Sequence, residues 1–387
     1  MKKTSQVYLD YAATTPILPE VVKKMEPYFS EVFGNPSSIH RWGQEAEAAI
    51  ESQRLRISRI IHAKSEEIIF TSGGTDSDNL ALRGTALAMQ KAKSANHLLI
   101  SPVEHHAVSQ TARQLKQSFG FDVEFLRVDK NGMVDPDEVK RKIRPNTALV
   151  SIIHGNNEIG TINPISEIGE ICAMAKVPFH SDCVQSAAHI EMDVDRDHLD
   201  LASIGGHKFY GPKGIGFLYL RKGTPILPIQ TGGSQERAMR AGTQNVPYIV
   251  GLAEAFEITY SGLPDFHSLL IPLRDKIIEQ VIHEIPEVRL TGHKNNRLPN
   301  HASFAFKNLM GNELVIALDQ AGFACSSGSA CKVGNPEPSE TLMALGFDPE
   351  WTLGSLRVTL GRETKEEQVD QFLHVLPEIV KKLRRIR

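Results

Sequence analysis

Between residues 67 and 220 the chain repeats one pattern: a short apolar run, a break rich in Gly, Ser or Pro, then a stretch with helical spacing. Apolar runs at 67–70, 97–100, 123–127, 148–153, 178–181, 199–204 and 216–220 read as strands, and 79–91 and 107–118 read as amphipathic helices. Parallel neighbours need a long crossover, and a helix is the usual one. The pattern therefore predicts an α/β fold with a mostly parallel central sheet and helices on both faces. The run 216–220 follows its predecessor across Gly- and Pro-rich turns and reads as an antiparallel strand in a mixed sheet. After about residue 260 the texture changes to helix, strand, a segment rich in Gly, Ser and Cys, and a terminal helix. A chain of 387 residues is too long for one small core. The expected division is a large domain over 16–260, with 1–15 and 261–387 in a smaller α+β domain.

Composition narrows the function class. The formal net charge is −3 and no basic block stands out, which argues against direct nucleic-acid binding. The run Lys381-Lys382-Leu383-Arg384-Arg385 reads as a solvated helix end beside the negative pole of the helix dipole. Met1-Lys2-Lys3 is followed by no apolar stretch, so neither a signal peptide nor a membrane span is expected. Four cysteines (Cys172, Cys183, Cys325 and Cys331) are too few for a disulfide framework, and no Cys-x-x-Cys pair suggests a metal. Free thiols in a reducing, cytoplasmic setting are expected.

Ligands of open α/β sheets sit beyond the carboxyl ends of the strands, and four constellations fall there or in the smaller domain. In 70–79 a strand runs into Gly73-Gly74-Thr75, and a helix follows. This is an anion cradle made by a helix N-terminus, or a simple cap. It is neither a Walker A loop nor a Gly-x-Gly-x-x-Gly fingerprint. In 180–186, Asp182 closes an apolar strand. It either caps the next helix or meets a cation, since a buried lone carboxylate is costly. In 205–216, Lys208 sits among Gly, Pro and aromatic residues. It is a surface lysine, or an amine whose lowered pKa suits covalent catalysis. In 324–332, small residues flank Cys331, either a packed small side chain or an accessible nucleophile with Lys332 beside it. Cys325 fits a buried strand start better. Of the adjacent His105 and His106, at most one faces a site. Arg357 alternates with apolar residues in a strand pattern, and if it points inward it should meet a carboxylate.

The order Gly-Gly-Thr, His-x-Asp-x-x-Gln, His-Lys and Ser-Gly-Ser-Ala-Cys resembles the cysteine desulfurases of the NifS/IscS branch, in the fold-type-I, class V aminotransferase superfamily. Further likeness lies in 8–16, 33–38, Asn156-Asn157-Glu158-Ile159-Gly160, Met239-Arg240-Ala241-Gly242-Thr243 and Glu337-Pro338-Ser339. The resemblance implies a pyridoxal 5'-phosphate enzyme that converts L-cysteine to L-alanine and leaves sulfur on Cys331 as a persulfide. It implies that Lys208 links covalently to the cofactor and moves the Cα proton. Asp182 would pair with the ring nitrogen and His105 would stack on the ring. Gln185 and Asn157 would contact the ring hydroxyl or the substrate side. Gly74, Thr75 and His207 would hold the phosphate, Thr243 would reach the phosphate of a neighbouring subunit, and Arg357 and Asn35 would grip the substrate carboxylate. A homodimer with shared active sites follows, with 16–260 binding the cofactor and the smaller domain carrying the cysteine loop. The sulfur acceptor would be an iron–sulfur scaffold or a tRNA- or cofactor-thiolation enzyme. No metal is implied. Gly205 departs from the small hydroxyl residue usual in the branch, and Lys332-Val333 departs from a small hydroxyl pair. A class V aminotransferase or selenocysteine lyase would need Lys208 and Asp182 but not Cys331. A sulfur-relay or assembly scaffold that has lost turnover is a third reading, and the intact set of Lys208, Asp182, His105 and Cys331 argues against it.

Overall fold

The apolar runs alternate in the direction of their side chains, as extended backbone requires. Ile69, Leu98, Ile100, Leu149, Leu201 and Leu218 pack into one cluster, whereas Ile68, Phe70, Leu99, Val150, Ala202 and Phe217 pack into another. A sheet buried on both faces is the only arrangement that satisfies both sets. In the computed structural model, which describes residues 6–328 and 338–386, twelve strands form three sheets. They are β1 (Val7–Tyr8), β2 (Ile68–Thr71), β3 (His97–Ile100), β4 (Asp122–Phe125), β5 (Thr147–Ser151), β6 (Phe179–Asp182), β7 (Leu201–Gly205), β8 (Gly216–Leu220), β9 (Val288–Leu290), β10 (His301–Phe306), β11 (Phe323–Ala324) and β12 (Ser355–Thr359).

The large sheet has seven strands in the order β2-β8-β7-β6-β5-β3-β4. Only β8 runs against the rest, pairing antiparallel with β2 and β7, as the short 205–216 connection predicts. One face is covered by residues of the helices Arg41–Ile60, Ile165–Ala175 and Val246–Ser261. The other is covered by the rod from Gly74 to Lys93 and by the helix His106–Phe119. A third cluster joins the three-stranded sheet β12-β10-β9 to the helices Leu263–Glu284, Gly311–Gln320 and Glu366–Ile386. The last helix turns Val369, Phe372, Leu373, Leu376 and Val380 inward at helical spacing.

Two local expectations need correction. The helix expected over 79–91 starts earlier, at Gly74, and contains a wide π turn over Leu80–Gly84 before continuing as Thr85–Lys93. At Gly84 the chain comes close: its carbonyl accepts the Leu227 N–H at 3.0 Å, and a Cβ there would stand 2.6 Å from the Leu227 carbonyl oxygen. The strand expected over 199–204 runs instead from Leu201 to Gly205, and the Asp200 carboxylate just before it accepts the Phe179 N–H at 2.9 Å. Among the described residues no helix is long and apolar enough to cross a membrane.

Candidate active site

Strand ends gather the polar residues. Gly74 and Thr75 follow β2, Asp182 ends β6, and His207 and Lys208 follow β7. These residues and His105, Asn157, Gln185 and Arg357 line one cavity of about 340 Å³.

At one end of the cavity, Gly73 takes φ +144°, a conformation that glycine reaches without strain. It opens the helix at Gly74. Among the described residues, the backbone N–H groups of Gly74 and Thr75 have no partner, and they form a donor pair at the positive end of a helix. Gly74 admits no side chain, since a Cβ would lie 2.5 Å from Val184 Cγ2. His207 lies at the same cavity, its Nδ1 3.2 Å from Thr14 Oγ1. Burial, with Lys208 and Lys213 nearby, lowers its pKa to about 4, so the ring is neutral at pH 7. Gly205 stands beside this end, where a Cβ would come within 3.3 Å of the Gly74 nitrogen.

Asp182 is buried, and one carboxylate oxygen accepts the Val184 N–H at 2.9 Å. Burial raises its pKa, while His105 and Lys208 oppose the rise. His105 caps the helix His106–Phe119, its Nδ1 accepting the Ala107 N–H at 3.1 Å, which leaves Nε2 as the protonated nitrogen. Its ring is exposed to the cavity rather than packed into the core. Burial lowers its pKa. Ligand atoms of Asp78, His105 and Asp182 lie within 4.8 Å of one another. Asp78 is fully buried, with its pKa raised by burial and by Asp182; among the described residues its Oδ1 accepts no hydrogen bond and lies 3.6 Å from His180 Nε2. Glu104 is nearby, its pKa likewise raised by burial and Asp182, with Oε2 unpartnered. A cationic ring nitrogen would suit the buried Asp182 at this end of the cavity.

Lys208 donates to the carbonyls of Ala12 at 2.8 Å and Ala13 at 2.9 Å. Burial, and secondarily Arg357, brings its pKa down to about 8 against the pull of Asp182 and Asp10. Gln185 Nε2 also donates to the Ala12 carbonyl, at 2.8 Å. Arg357 projects from β12, donating from Nη2 to Asp10 Oδ1 and from Nη1 to the Asn157 carbonyl, both at 2.9 Å. Among the described residues its buried Nε has no hydrogen-bond partner.

The sequence matches the family described as Aminotransferase class-V over residues 7–372. The chain belongs to the class V aminotransferase family. Within it the likeness is to the NifS/IscS cysteine desulfurases. The curated cysteine desulfurase IscS of Dictyoglomus turgidum is 47% identical, over 98% of this chain and 96% of its own length. A solved structure described as a NifS-like protein superposes with a TM-score of 0.90 at 35% identity, covering 98% of this chain and all 100% of that one. Another, described as SspA in complex with cysteine, has a TM-score of 0.79 at 35% identity, with coverage of 91% and 98%.

Enzymes of this class V branch use pyridoxal 5'-phosphate, and the cavity fits that group. The unpartnered donors at Gly74 and Thr75 suit its phosphate, the buried Asp182 suits its ring nitrogen, and Lys208 suits its aldehyde. Only the neutral amine attacks an aldehyde. Capture of added cofactor by the cofactor-free protein should therefore rise through a pH of about 8, not near the 10.5 of an ordinary lysine. Stopped-flow absorbance across pH checks this, and a midpoint more than about one unit higher would contradict it.

Two residues that the class V resemblance places in the site are not brought there within this chain. Asn35 accepts the Ser37 N–H at 3.0 Å and does not line the cavity. Thr243 lines a separate hollow of about 190 Å³ with Glu236, Arg240 and Gly242. Cys331 and Lys332 lie outside the described residues. Residues 10–14 stand out in the sequence only as part of a motif, yet they form a strap whose groups hold Lys208, Gln185, His207 and Arg357. Asp78 also escapes a reading of the sequence, although it lies four residues after Gly74 on one helix, the spacing that shares a face.

Proposed function

We propose that this chain is a pyridoxal-phosphate-dependent cysteine desulfurase. It converts L-cysteine to L-alanine and leaves the sulfur as a persulfide on Cys331. The observation carrying this reading is the convergence in one cavity of Lys208 with its lowered pKa, the buried Asp182, and Arg357 with an unfilled donor. When bound, the cofactor supplies an electron sink that makes the substrate Cα–H acidic. Asp182 would keep the ring nitrogen protonated, and His105 would be the residue set against the ring. Gly74, Thr75 and His207 would hold the phosphate, and Gln185 and Asn157 would hold the ring hydroxyl or the substrate side. Lys208 takes the Cα proton and returns it, general acid–base work for which a pKa of about 8 is suited. Arg357 anchors the substrate carboxylate.

The Cys331 thiolate attacks the substrate sulfur. The S–S bond of the persulfide forms as the substrate C–S bond breaks, and the carbon fragment leaves as alanine after gaining a proton. Residues 16–260 would be the cofactor-binding domain, with 1–15 and 261–387 as the smaller one. Thr243 would serve the phosphate of a second copy, making the enzyme a homodimer, and Asn35 would join Arg357 at the substrate carboxylate. The acceptor would be an iron–sulfur scaffold or a tRNA-thiolation enzyme in the cytoplasm.

The test is product analysis of the holoenzyme with L-cysteine and a dithiol reductant. Alanine and sulfide should appear in a one-to-one ratio. A keto acid in place of alanine would replace this reading with a transaminase. Alanine from L-selenocysteine but not from L-cysteine would replace it with a selenocysteine lyase.

A further inference from the structure

Taking Arg357 as the anchor of the substrate carboxylate, the geometry points to Asp10 as a positioning residue: a resident counter-ion that holds one arm of the guanidinium and that the incoming carboxylate must displace or share. Arg357 is only 8% exposed, so in the empty site its charge needs a partner. Asp10 Oδ1 supplies it at Nη2, 2.9 Å away, and Asp10 Oδ2 accepts the Ser326 hydroxyl at 2.8 Å. Ser326 and Arg357 also exchange backbone hydrogen bonds in both directions, at 3.2 and 2.7 Å. Asp10, Ser326 and Arg357 thus form a closed triangle.

The unpartnered Nε decides between a brace and a counter-ion. A guanidinium binds a carboxylate best through two parallel N–H donors, and Nε with Nη2 is such an edge. A pair built only to brace the fold would close both donors. Here Asp10 takes Nη2 and leaves Nε empty, at a residue that lines the cavity. A carboxylate that takes this edge competes with Asp10 for Nη2, so Asp10 sets how tightly the site holds carboxylates. Specificity also follows. A bare anion gains one arm against a resident competitor, whereas an amino acid held elsewhere by its amine and side chain can complete the exchange.

The experiment uses the holoenzyme and L-alanine, the non-reacting product, as the probe in titration calorimetry. Asp10→Asn keeps the shape and the acceptor while removing the charge. It should tighten L-alanine binding roughly three- to tenfold by removing a like charge from the edge. The KM for L-cysteine should fall with it, while kcat changes less. Ser326→Ala leaves Asp10 with Arg357 as its one side-chain partner among the described residues and should weaken binding, so the two variants move in opposite directions. It also keeps the question open to test if the Asp10→Asn protein fails to fold. Arg357→Ala separates the two levels of the reading. If it loses L-alanine binding while Asp10→Asn leaves affinity unchanged or weaker, Asp10 is a brace and the counter-ion role falls. Were Arg357→Ala to bind L-alanine as the unaltered enzyme does, the anchor assignment itself would fall, and the counter-ion with it.

Discussion

Lys208→Ala should bind pyridoxal 5'-phosphate without the covalent link and should lose turnover by about 10⁴-fold or more. Loss of positioned proton transfer alone accounts for roughly 10²–10⁴. Loss of the covalent hold removes the rest, because the substrate amine must then meet a cofactor that was never activated by an amine already in place. The geometry gives the variant a clean background. Among the described residues Lys208 Nζ bonds only to two carbonyls, those of Ala12 and Ala13, so truncation frees two acceptors at the edge of the cavity. Phosphate donors, Asp182 and His105 stay in place. Borohydride reduction followed by mass measurement should fix the cofactor on the unaltered protein and not on the variant. Visible absorbance should show that the variant still holds it. Turnover within tenfold of the unaltered enzyme would remove Lys208 from its role.

Cys331→Ala should retain the cofactor and its absorbance but lose alanine formation by at least about 10³-fold, the scale on which deletion of a nucleophile acts. The other three thiols explain why no substitute steps in. Cys172, Cys183 and Cys325 are all buried. Burial pushes the Cys183 thiol up to about 12, and those of Cys172 and Cys325 higher still, so none offers thiolate at neutral pH. Cys325 sits only six positions before Cys331, but it packs in the apolar cluster of the smaller sheet. Persulfide trapping with an alkylating probe, followed by peptide mass analysis, should label Cys331 in the unaltered protein and no cysteine in the variant. A persulfide on Cys325 would overturn the assignment.

What the sequence revealed and what it hid divide along sequence separation. Asp182 and Lys208 were legible because each closes or follows a strand, and strand ends of such sheets face the ligand. Arg357 was legible as a charge in an apolar alternation that had to find a carboxylate. Its partner was not, because Asp10 lies 347 positions away. The strap at 10–14 stayed hidden for the same reason. Its bonds to Lys208 and His207 span more than 190 positions, and its backbone carbonyls leave no mark in residue type. Asp78 was masked by company, one acidic residue among several polar ones at a helix start that reads equally well as a cap. Asn35 and Thr243 were suggested by the family's motifs alone, and the geometry of this chain does not bring either to the cavity.

The strap also fixes when a newly made chain can become an enzyme. β1 pairs with β11 in parallel, joining Val7 to Phe323 and Tyr8 to Ala324, and Asp10 closes on a residue of β12. The Ala12 N–H, in turn, donates to the hydroxyl of Thr359. The strand pairing that sets the front of the chain in place thus comes from its far end. The carbonyls that receive Lys208 can come to rest only once Thr359 has been made. Such long-range closure is slow, since the loop must be ordered before its contacts repay it. Closure of the pocket around Lys208 therefore waits on the far end of the chain.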